Sequence, residues 1–228
     1  DKAHVFCVII GFSRESSQKT LYIHDTPRST ERIVQARHIN AYLADAPDVF
    51  IYGRRSPICD VPEMGIGNKP IDNGAYLFTP EEKDAFLKQE PGAAPYFHRW
   101  LGSREFINGI ERWCLWLGDA TFAELKDLKL CRERIERVRQ YRLASKSAPT
   151  RKLAEKPARF HVENMPAGTS VIVPQTSSQR RKYIPMGFVQ PGVFCSNAMR
   201  VIPGGTLYDF GVLQSQAHNA WMRRVTGR

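Results

Sequence analysis

Helical and extended patterns follow one another in no regular order along this chain, and this limits the folds that it can adopt. An apolar run at residues 4–12 predicts a buried strand, and residues 20–24 predict a second, shorter one. Apolar positions spaced through 33–43 predict a short helix, and Thr79 caps a helix that extends to about Gln89. A doubly wound sheet requires strands and helices in alternation. The observed order instead predicts an α+β fold with a mixed or antiparallel sheet.

The second half of the chain divides into longer blocks. Residues 102–110 (GSREFINGI) predict a turn or edge between two apolar segments, and 122–143 predicts the longest helix. The basic, proline-containing segment 146–159 predicts a loop or linker. Apolar stretches within 170–212 predict a β-rich part, and a closing helix is expected over 214–225.

The positive charge is concentrated in the second half. The chain has 33 Lys and Arg against 23 Asp and Glu, a formal net charge of +10. Residues 1–114 contribute 14 − 15 = −1 to this total, and residues 115–228 contribute 19 − 8 = +11. Within the second half, residues 126–159 alone carry 12 − 4 = +8. A basic face of this kind favours a polyanionic partner, and nucleic acid is the commonest one inside cells.

The apolar stretches and the cysteines favour an intracellular chain. The longest apolar stretch, at 5–10, is far shorter than the ~20 residues of a membrane span. Nothing near Asp1 resembles a signal peptide, so we expect a cytoplasmic protein without a membrane partner. The five cysteines form no CxxC pair, and we expect those in apolar surroundings, such as Cys114 and Cys195, to pack as small hydrophobic residues.

No catalytic or metal-binding pattern in the sequence has suitable neighbours. Asp48 with Glu81 and Lys83 matches a PD…ExK nuclease pattern, but the last two fall in the first turn of a helix. The GxG at residues 65–67 follows no apolar strand and precedes no helix, so residues 57–74 predict a series of turns without a cofactor site. We therefore expect no catalytic residue, no metal and no cofactor in this chain.

The segment that follows the apolar run at 170–174 has the composition of a ligand-binding loop. Its polar tip, QTSSQRRK at 175–182, combines hydroxyls, amides and guanidinium groups before the second apolar stretch begins. These groups contact phosphates and base edges in nucleic-acid complexes. An ordinary solvated hairpin loop is the alternative, and the charge asymmetry favours a loop that faces DNA.

Three motifs together carry a resemblance to a known family. GSREFINGIERWCLW, PQTSSQRRKYIPMGF and LYDFGVLQSQAHNAWMRRVTGR, with the turn-rich MGIGNKPIDNGAYL, cover nearly the whole chain in order. They resemble the target recognition domain of MmeI-like (type IIL) restriction-modification enzymes and of their adenine-specific relatives. The resemblance implies a module that recognises a duplex DNA sequence, as part of a bacterial type of defence against foreign DNA.

The resemblance also implies which residues contact DNA. The polar tip matches the family's SS-x-R-R-like loop, Asn197 matches a position after the next strand, and the closing helix matches an HN-x-W-x-R segment. We expect the basic residues of the tip to contact phosphates and Trp221 to lie in the core. The implied DNA-contacting residues are Ser177, Ser178, Arg180, Arg181, Lys182, Asn197, His218, Asn219 and Arg223.

By the same resemblance, catalysis belongs to another part of a longer protein. In such enzymes a separate methyltransferase domain binds S-adenosylmethionine, and its Asn-Pro-Pro-aromatic motif holds a flipped adenine. This chain contains no such motif. We expect residues 1–12 to be a stub strand of that domain and 13–228 to be the recognition domain, with a helical, loop-rich part at 13–145 and a β-rich part at 160–228. The partners are then double-stranded DNA and the methyltransferase domain of the same parent chain.

Two other functions remain as alternatives. A protein–protein scaffold would use the basic helix at 122–143 to dock an acidic partner without any preference among DNA sequences. A metal-dependent nuclease would use Asp48 and Glu81, and replacing Asp48 would abolish its cleavage.

Overall fold

The computed structural model describes residues 8–15, 17–24, 29–178 and 180–225. The chain forms two compact units, one containing residues 1–60 with 216–228 and the other containing Val61–Ser215. The predicted α+β class is confirmed by the mixture of helices and mainly antiparallel strands in the described residues. The division at residue 12 between a methyltransferase stub and a recognition domain stays a prediction.

The smaller unit contains an antiparallel pair of strands and a helix. Strand β1 (Lys19–Ile23) pairs with β2 (Arg32–Ala36), so that Leu21 lies opposite Val34. The strand predicted at 20–24 is therefore confirmed, whereas the helix predicted at 33–43 is wrong. Its β-branched residues Ile33 and Val34 favour the extended conformation, and the partner strand provides their hydrogen bonds.

The larger unit contains two four-stranded sheets. In the first sheet the order is β3 (Gly65–Ile66), β10 (Met199–Pro203), β7 (Ser170–Pro174) and β8 (Gly187–Val189), and every pair is antiparallel. In the second the order is β4 (Leu77–Phe78), β6 (Trp113–Leu115), β5 (Phe97–Leu101) and β9 (Val193–Cys195), and only β5 and β9 run parallel. The β-rich C-terminal part is thus confirmed.

Seven helices are present in the described residues. They are α1 (Pro80–Gln89), α2 (Ser103–Asn108), α3 (Phe122–Lys126), α4 (Lys129–Leu143), α5 (Ala148–Lys152), α6 (Leu207–Gln214) and α7 (Gln216–Val225), with 3₁₀ turns at Pro91–Tyr96 and Leu153–Glu155. Helix α1 confirms the predicted capping, because Thr79 and Glu82 form a reciprocal capping box. Helix α7 confirms the closing helix, but α6 replaces part of the predicted β-rich segment.

Aromatic side chains form the core of the larger unit. Phe78, Phe86 and Phe97 are buried and meet edge to face, with ring centroids 5.0–5.7 Å apart. Three of the four described cysteines (Cys114, Cys131 and Cys195) are buried, and burial raises the pKa of the Cys195 thiol to about 12. Their predicted role as small core residues is confirmed, while Cys59 is exposed and Cys7 lies outside the described residues.

Two predictions for the middle of the chain are wrong. Residues 103–108 form helix α2, not a turn, and the predicted helix at 122–143 is divided into α3 and α4. The division has a tertiary cause, because the Glu90 carboxylate accepts hydrogen bonds from the main-chain nitrogens of Leu130 (2.6 Å) and Cys131 (3.0 Å). This carboxylate caps the first turn of α4 from outside the helix.

The segment at 146–159 is part of the packed framework, so the predicted loop or linker is wrong. Its helix α5 and the following 3₁₀ turn pack against α4. Arg142 is only 1% exposed and donates from all three guanidinium nitrogens to main-chain carbonyl oxygens at 2.7–3.0 Å. The five acceptors belong to Pro70, Ile71, Leu153, Lys156 and Arg159.

Two further segments differ from the sequence predictions. Residues 8–12 form no strand and Ile9 is 98% exposed, so the buried strand predicted at 4–12 is wrong for its described part, and residues 4–7 lie outside the described residues. Within the predicted turns at 57–74, Gly65 and Ile66 form strand β3. No helix among the described residues is long and apolar enough to cross a membrane.

Candidate nucleic-acid interface

A long connection joins two antiparallel strands of the first sheet. Residues 175–186, here called the tip loop, link β7 to β8, and Ser170 at the start of β7 pairs with Val189 at the end of β8. Two-residue turns suffice for such a hairpin, and loops of this length in compact domains are commonly functional. The loop is therefore the first candidate for a ligand-binding element in this unit.

The tip loop presents polar and basic side chains to solvent. Ser177, Ser178, Arg180 and Lys182 are exposed, and Arg181 is half-buried. A turn at Ser178 orders the middle of the loop, because the Ser178 carbonyl oxygen accepts a hydrogen bond from the main-chain nitrogen of Arg181 at 3.0 Å. Its Oγ accepts from the main-chain nitrogen of Arg180 at 3.3 Å. Five of the predicted DNA-contacting residues are thus brought together.

A sixth predicted residue lies next to the base of this loop. Asn197 is exposed in the turn at 196–198, which joins β9 to β10. The carbonyl oxygen of Ala198 accepts two hydrogen bonds, from the main-chain nitrogen of Gln175 at 2.8 Å and from the Ser103 hydroxyl at 2.7 Å. One carbonyl therefore joins the tip loop, the Asn197 turn and the first turn of α2.

The turn at 196–198 is held from behind by the GIGN segment. The main-chain nitrogen of Asn68 donates to the Cys195 carbonyl at 2.6 Å, and the Asn68 side-chain amide donates to the same oxygen at 3.0 Å. An added Cβ at Gly67 would lie 2.5 Å from that oxygen and still closer to the Ser196 carbonyl oxygen. Only glycine permits this approach of two backbones. Gly67 thus has a packing role, beyond the turn role predicted from its GxG pattern.

Part of the basic charge at 126–159 is used inside the fold. Burial lowers the pKa of Arg142, whose guanidinium is fully hydrogen-bonded to the backbone. Arg134 donates to the Ala75 carbonyl at 2.9 Å and lies over the Phe78 ring, and Arg159 pairs with Glu163. The exposed basic residues of this segment that form no ion pair with a described residue are Lys126, Arg132, Arg137, Lys146, Arg151, Lys152 and Lys156.

The other three predicted residues lie on helix α7, in the smaller unit. His218 is half-buried, Asn219 is only 4% exposed and Arg223 is exposed. Trp221 is 53% exposed, so its predicted place in the core is wrong. The Asn219 side chain is therefore a structural group of its own unit, whereas Trp221 and Arg223 present their side chains at the surface.

The residues of the nuclease alternative do not form a metal site with others. The Asp48 carboxylate contacts His38 Nε2 at 2.9 Å, and Glu81 is exposed in the first turn of α1. Nowhere in the described ranges do three His, Cys, Asp or Glu side chains come together in a way that could hold a metal ion.

The sequence analysis missed the residues that position the loop. Ser103, Gln175 and Asn68 act through hydrogen bonds between segments far apart in the chain, and their spacing gives no periodic signal. The glycines at 65 and 67 were the available indication, because isolated glycines near strands often mark a close backbone approach.

Comparisons with known proteins agree in family. The family model described as MmeI, target recognition domain, matches residues 45–228. DNA methyltransferase A of Bacillus subtilis (strain 168) is 36% identical over 228 residues, which is 100% of this chain and 26% of that protein. A solved structure of the type IIL restriction-modification enzyme MmeI in complex with DNA superposes with a TM-score of 0.90 and 41% identity, covering 94% of this chain and 29% of MmeI. The chain thus spans less than a third of either relative.

Proposed function

The chain belongs to the MmeI target recognition domain family, and on that premise we propose that it recognises a specific sequence in duplex DNA. The observation that carries this proposal is the similarity, at 41% identity, to an enzyme whose structure is in complex with DNA. The family resemblance expected from the sequence motifs is confirmed. This function also accounts for a long, basic, exposed loop mounted on a rigid sheet, whereas a scaffold for an acidic protein is not favoured by the family.

In the proposed arrangement the tip loop enters a groove of the duplex. The guanidinium and ammonium groups of Arg180, Arg181 and Lys182 contact backbone phosphates, which provide most of the affinity and set the register. Ser177 and Asn197 carry short hydrogen-bonding groups suited to base edges. The hydrogen bonds at Ala198 keep the loop and the Asn197 turn at a fixed separation, so that contacts from both elements meet the same bases.

The rest of the proposal concerns a longer protein. The chain would position a separate catalytic domain of an adenine-specific DNA methyltransferase in a restriction-modification system. S-adenosylmethionine, the methyl donor of that reaction, would bind in the catalytic domain, and the partners of this chain would be duplex DNA and that domain. Helix α7, with His218, Asn219 and Arg223, would add contacts from the smaller unit. Such a protein would act in the bacterial cytoplasm, where it meets foreign DNA.

Salt-dependent binding of the tip-loop variant tests this function. In the full chain, Arg180, Arg181 and Lys182 are replaced together by alanine, and binding to a duplex pool is measured by fluorescence anisotropy at several salt concentrations. If the chain neutralises ~6 phosphates, the logarithm of its affinity falls with a slope of about −5 in the logarithm of salt concentration. The variant is expected to lose affinity by about 100-fold and to flatten the slope by about 3.

A charge-matched variant provides the control. Lys88, Lys126 and Lys129 are also exposed, and replacing these three by alanine removes the same charge from α1, α3 and the start of α4. This control is expected to change the slope by less than 1, because exposed charges beyond about 10 Å are screened. Equal losses in the two variants would overturn the assignment of the tip loop.

A further inference from the structure

A second group of exposed basic residues lies on the framework segment that Arg142 holds. The α5 surface, as we call it, consists of Lys146, Arg151, Lys152 and Lys156, all of which are exposed. None of the four forms an ion pair with a described residue. Glu155 is the acidic side chain in the same stretch, so the surface keeps a clear excess of positive charge. Four cations at close spacing repel one another, and a polyanion relieves that repulsion.

The segment is fixed from the inside by hydrogen bonds. Arg142 donates to the carbonyl oxygens of Leu153 at 2.8 Å and Lys156 at 3.0 Å, directly between and below the exposed cations. Its neighbours along the chain are further tied at Arg159, whose carbonyl accepts from Arg142 at 2.8 Å. A surface fixed in this way loses little conformational entropy when a ligand binds.

Arg151 is also fixed in orientation. Its Nη1 donates to the carbonyl oxygens of Ser145 and Lys146, both at 2.9 Å, immediately after the end of α4. Both bonds use the same nitrogen, and among the described residues Nε and Nη2 have no hydrogen-bond partner. That remaining edge is the planar pair of donors with which arginine binds a phosphate through two parallel hydrogen bonds.

We propose that the α5 surface is a second phosphate-binding site, which contacts the backbone of the same DNA duplex outside the bases that the tip loop recognises. This proposal rests on the proposed function. Both elements belong to the unit Val61–Ser215, and a unit of this size has a radius of gyration of about 15 Å. A duplex of about a dozen base pairs, at 3.4 Å each, is as long as such a unit is wide. The surface adds affinity without reading sequence.

The test uses the full chain and a neutralised surface. Arg151, Lys152 and Lys156 are replaced together by glutamine, and binding to a duplex that carries the selected sequence with flanks is measured at 50 and 200 mM salt. The variant is expected to bind at least about tenfold more weakly and to flatten the salt slope by 2–3, written as about 0.9 for each phosphate released. Its preferred sequence and its unfolding midpoint are expected to match those of the unsubstituted chain.

Two further variants make the test specific. Replacing Lys88, Lys126 and Lys129 by glutamine removes the same charge elsewhere, and it is expected to flatten the slope by less than 1. Arg151→Lys keeps the charge but removes the planar donor edge, and it is expected to weaken binding several-fold. Lys152→Gln with Lys156→Gln leaves the Arg151 hydrogen bonds untouched, and it is expected to flatten the slope by about 2 if the triple variant does not fold.

The outcomes separate this proposal from the proposed function. If the unsubstituted chain selects a sequence but the neutralised and control variants bind alike, the second site is overturned and the recognition function stands. If the tip-loop variant loses binding while the α5 variants do not, the conclusion is the same. If the unsubstituted chain binds no duplex at low salt, both proposals are overturned, and an acidic protein becomes the partner to test for the α5 surface.

Discussion

Helix α4 and the tip loop both depend on arginine, but they use it in opposite ways. In α4, Arg142 is 1% exposed and gives its hydrogen bonds to five main-chain carbonyls, whereas Arg180 in the tip loop is exposed on a long connection. A buried guanidinium is stable only if its donors are satisfied, and these bonds join three segments of the fold. The net charge of a basic segment therefore overstates the charge that a ligand can meet.

Replacing Arg142 gives the largest expected effect on this comparison. Arg142→Ala leaves five buried carbonyl oxygens without their donor and a cavity beneath α5, so we expect the free energy of unfolding to fall by about 3–5 kcal/mol. Arg132→Ala, at an exposed position of the same helix, is expected to change it by less than about 0.5 kcal/mol. Urea unfolding measures both. A loss below about 1 kcal/mol for Arg142→Ala would show that these hydrogen bonds do not hold the segment.

A smaller effect is expected at the contact behind the Asn197 turn. Gly67→Ala places a Cβ against the carbonyl oxygens of Cys195 and Ser196, which must move, so we expect a loss of about 1–3 kcal/mol. Gly168→Ala is the matched control, because an added Cβ there meets nothing within 4 Å. Thermal unfolding compares the two. Equal stability of the two variants would contradict the close approach, and weaker sequence preference in Gly67→Ala would connect this framework to the tip loop.

The smallest effect is expected at the cap of α4. Glu90→Gln keeps one acceptor oxygen but removes the negative charge at the helix N-terminus, and we expect a loss of about 1 kcal/mol. Glu133→Gln, at an exposed position in the same helix, is expected to cost less than about 0.5 kcal/mol. Urea unfolding again provides the comparison. Should Glu90→Gln leave stability unchanged, the division between α3 and α4 would need another cause than this carboxylate.

Local signals predicted most of the fold that they could reach. The capping box at Thr79, the apolar run of β7 and the closing helix α7 each depend on neighbouring residues, and the sequence contains all of that information. The helix predicted at 33–43 was wrong because short apolar patterns fit both periods, and pairing with β1 decided between them. The break before α4 depends on Glu90, which lies 40 residues from its hydrogen-bond partner Leu130.

The candidate site was predictable in its chemistry but not in its construction. Composition and family motifs indicated the polar tip at 175–182, because exposed ligand-binding groups are contiguous in the sequence there. The burial of Arg142 could not be predicted, since its acceptors lie at 70–71 and 153–159. The same holds for Ser103, whose partner Ala198 is 95 residues away. Side chains that act through distant carbonyls leave no pattern in the sequence.

Selection from a randomised duplex library tests the central claim most directly. The full chain is mixed with the library at two salt concentrations, bound duplexes are recovered and sequenced, and the tip-loop variant is carried through in parallel. We predict that the unsubstituted chain enriches one short sequence with steep salt dependence and that the variant with Arg180, Arg181 and Lys182 replaced by alanine does not. A folded, unsubstituted chain that binds every duplex alike, or none, would contradict the claim that this chain recognises a DNA sequence.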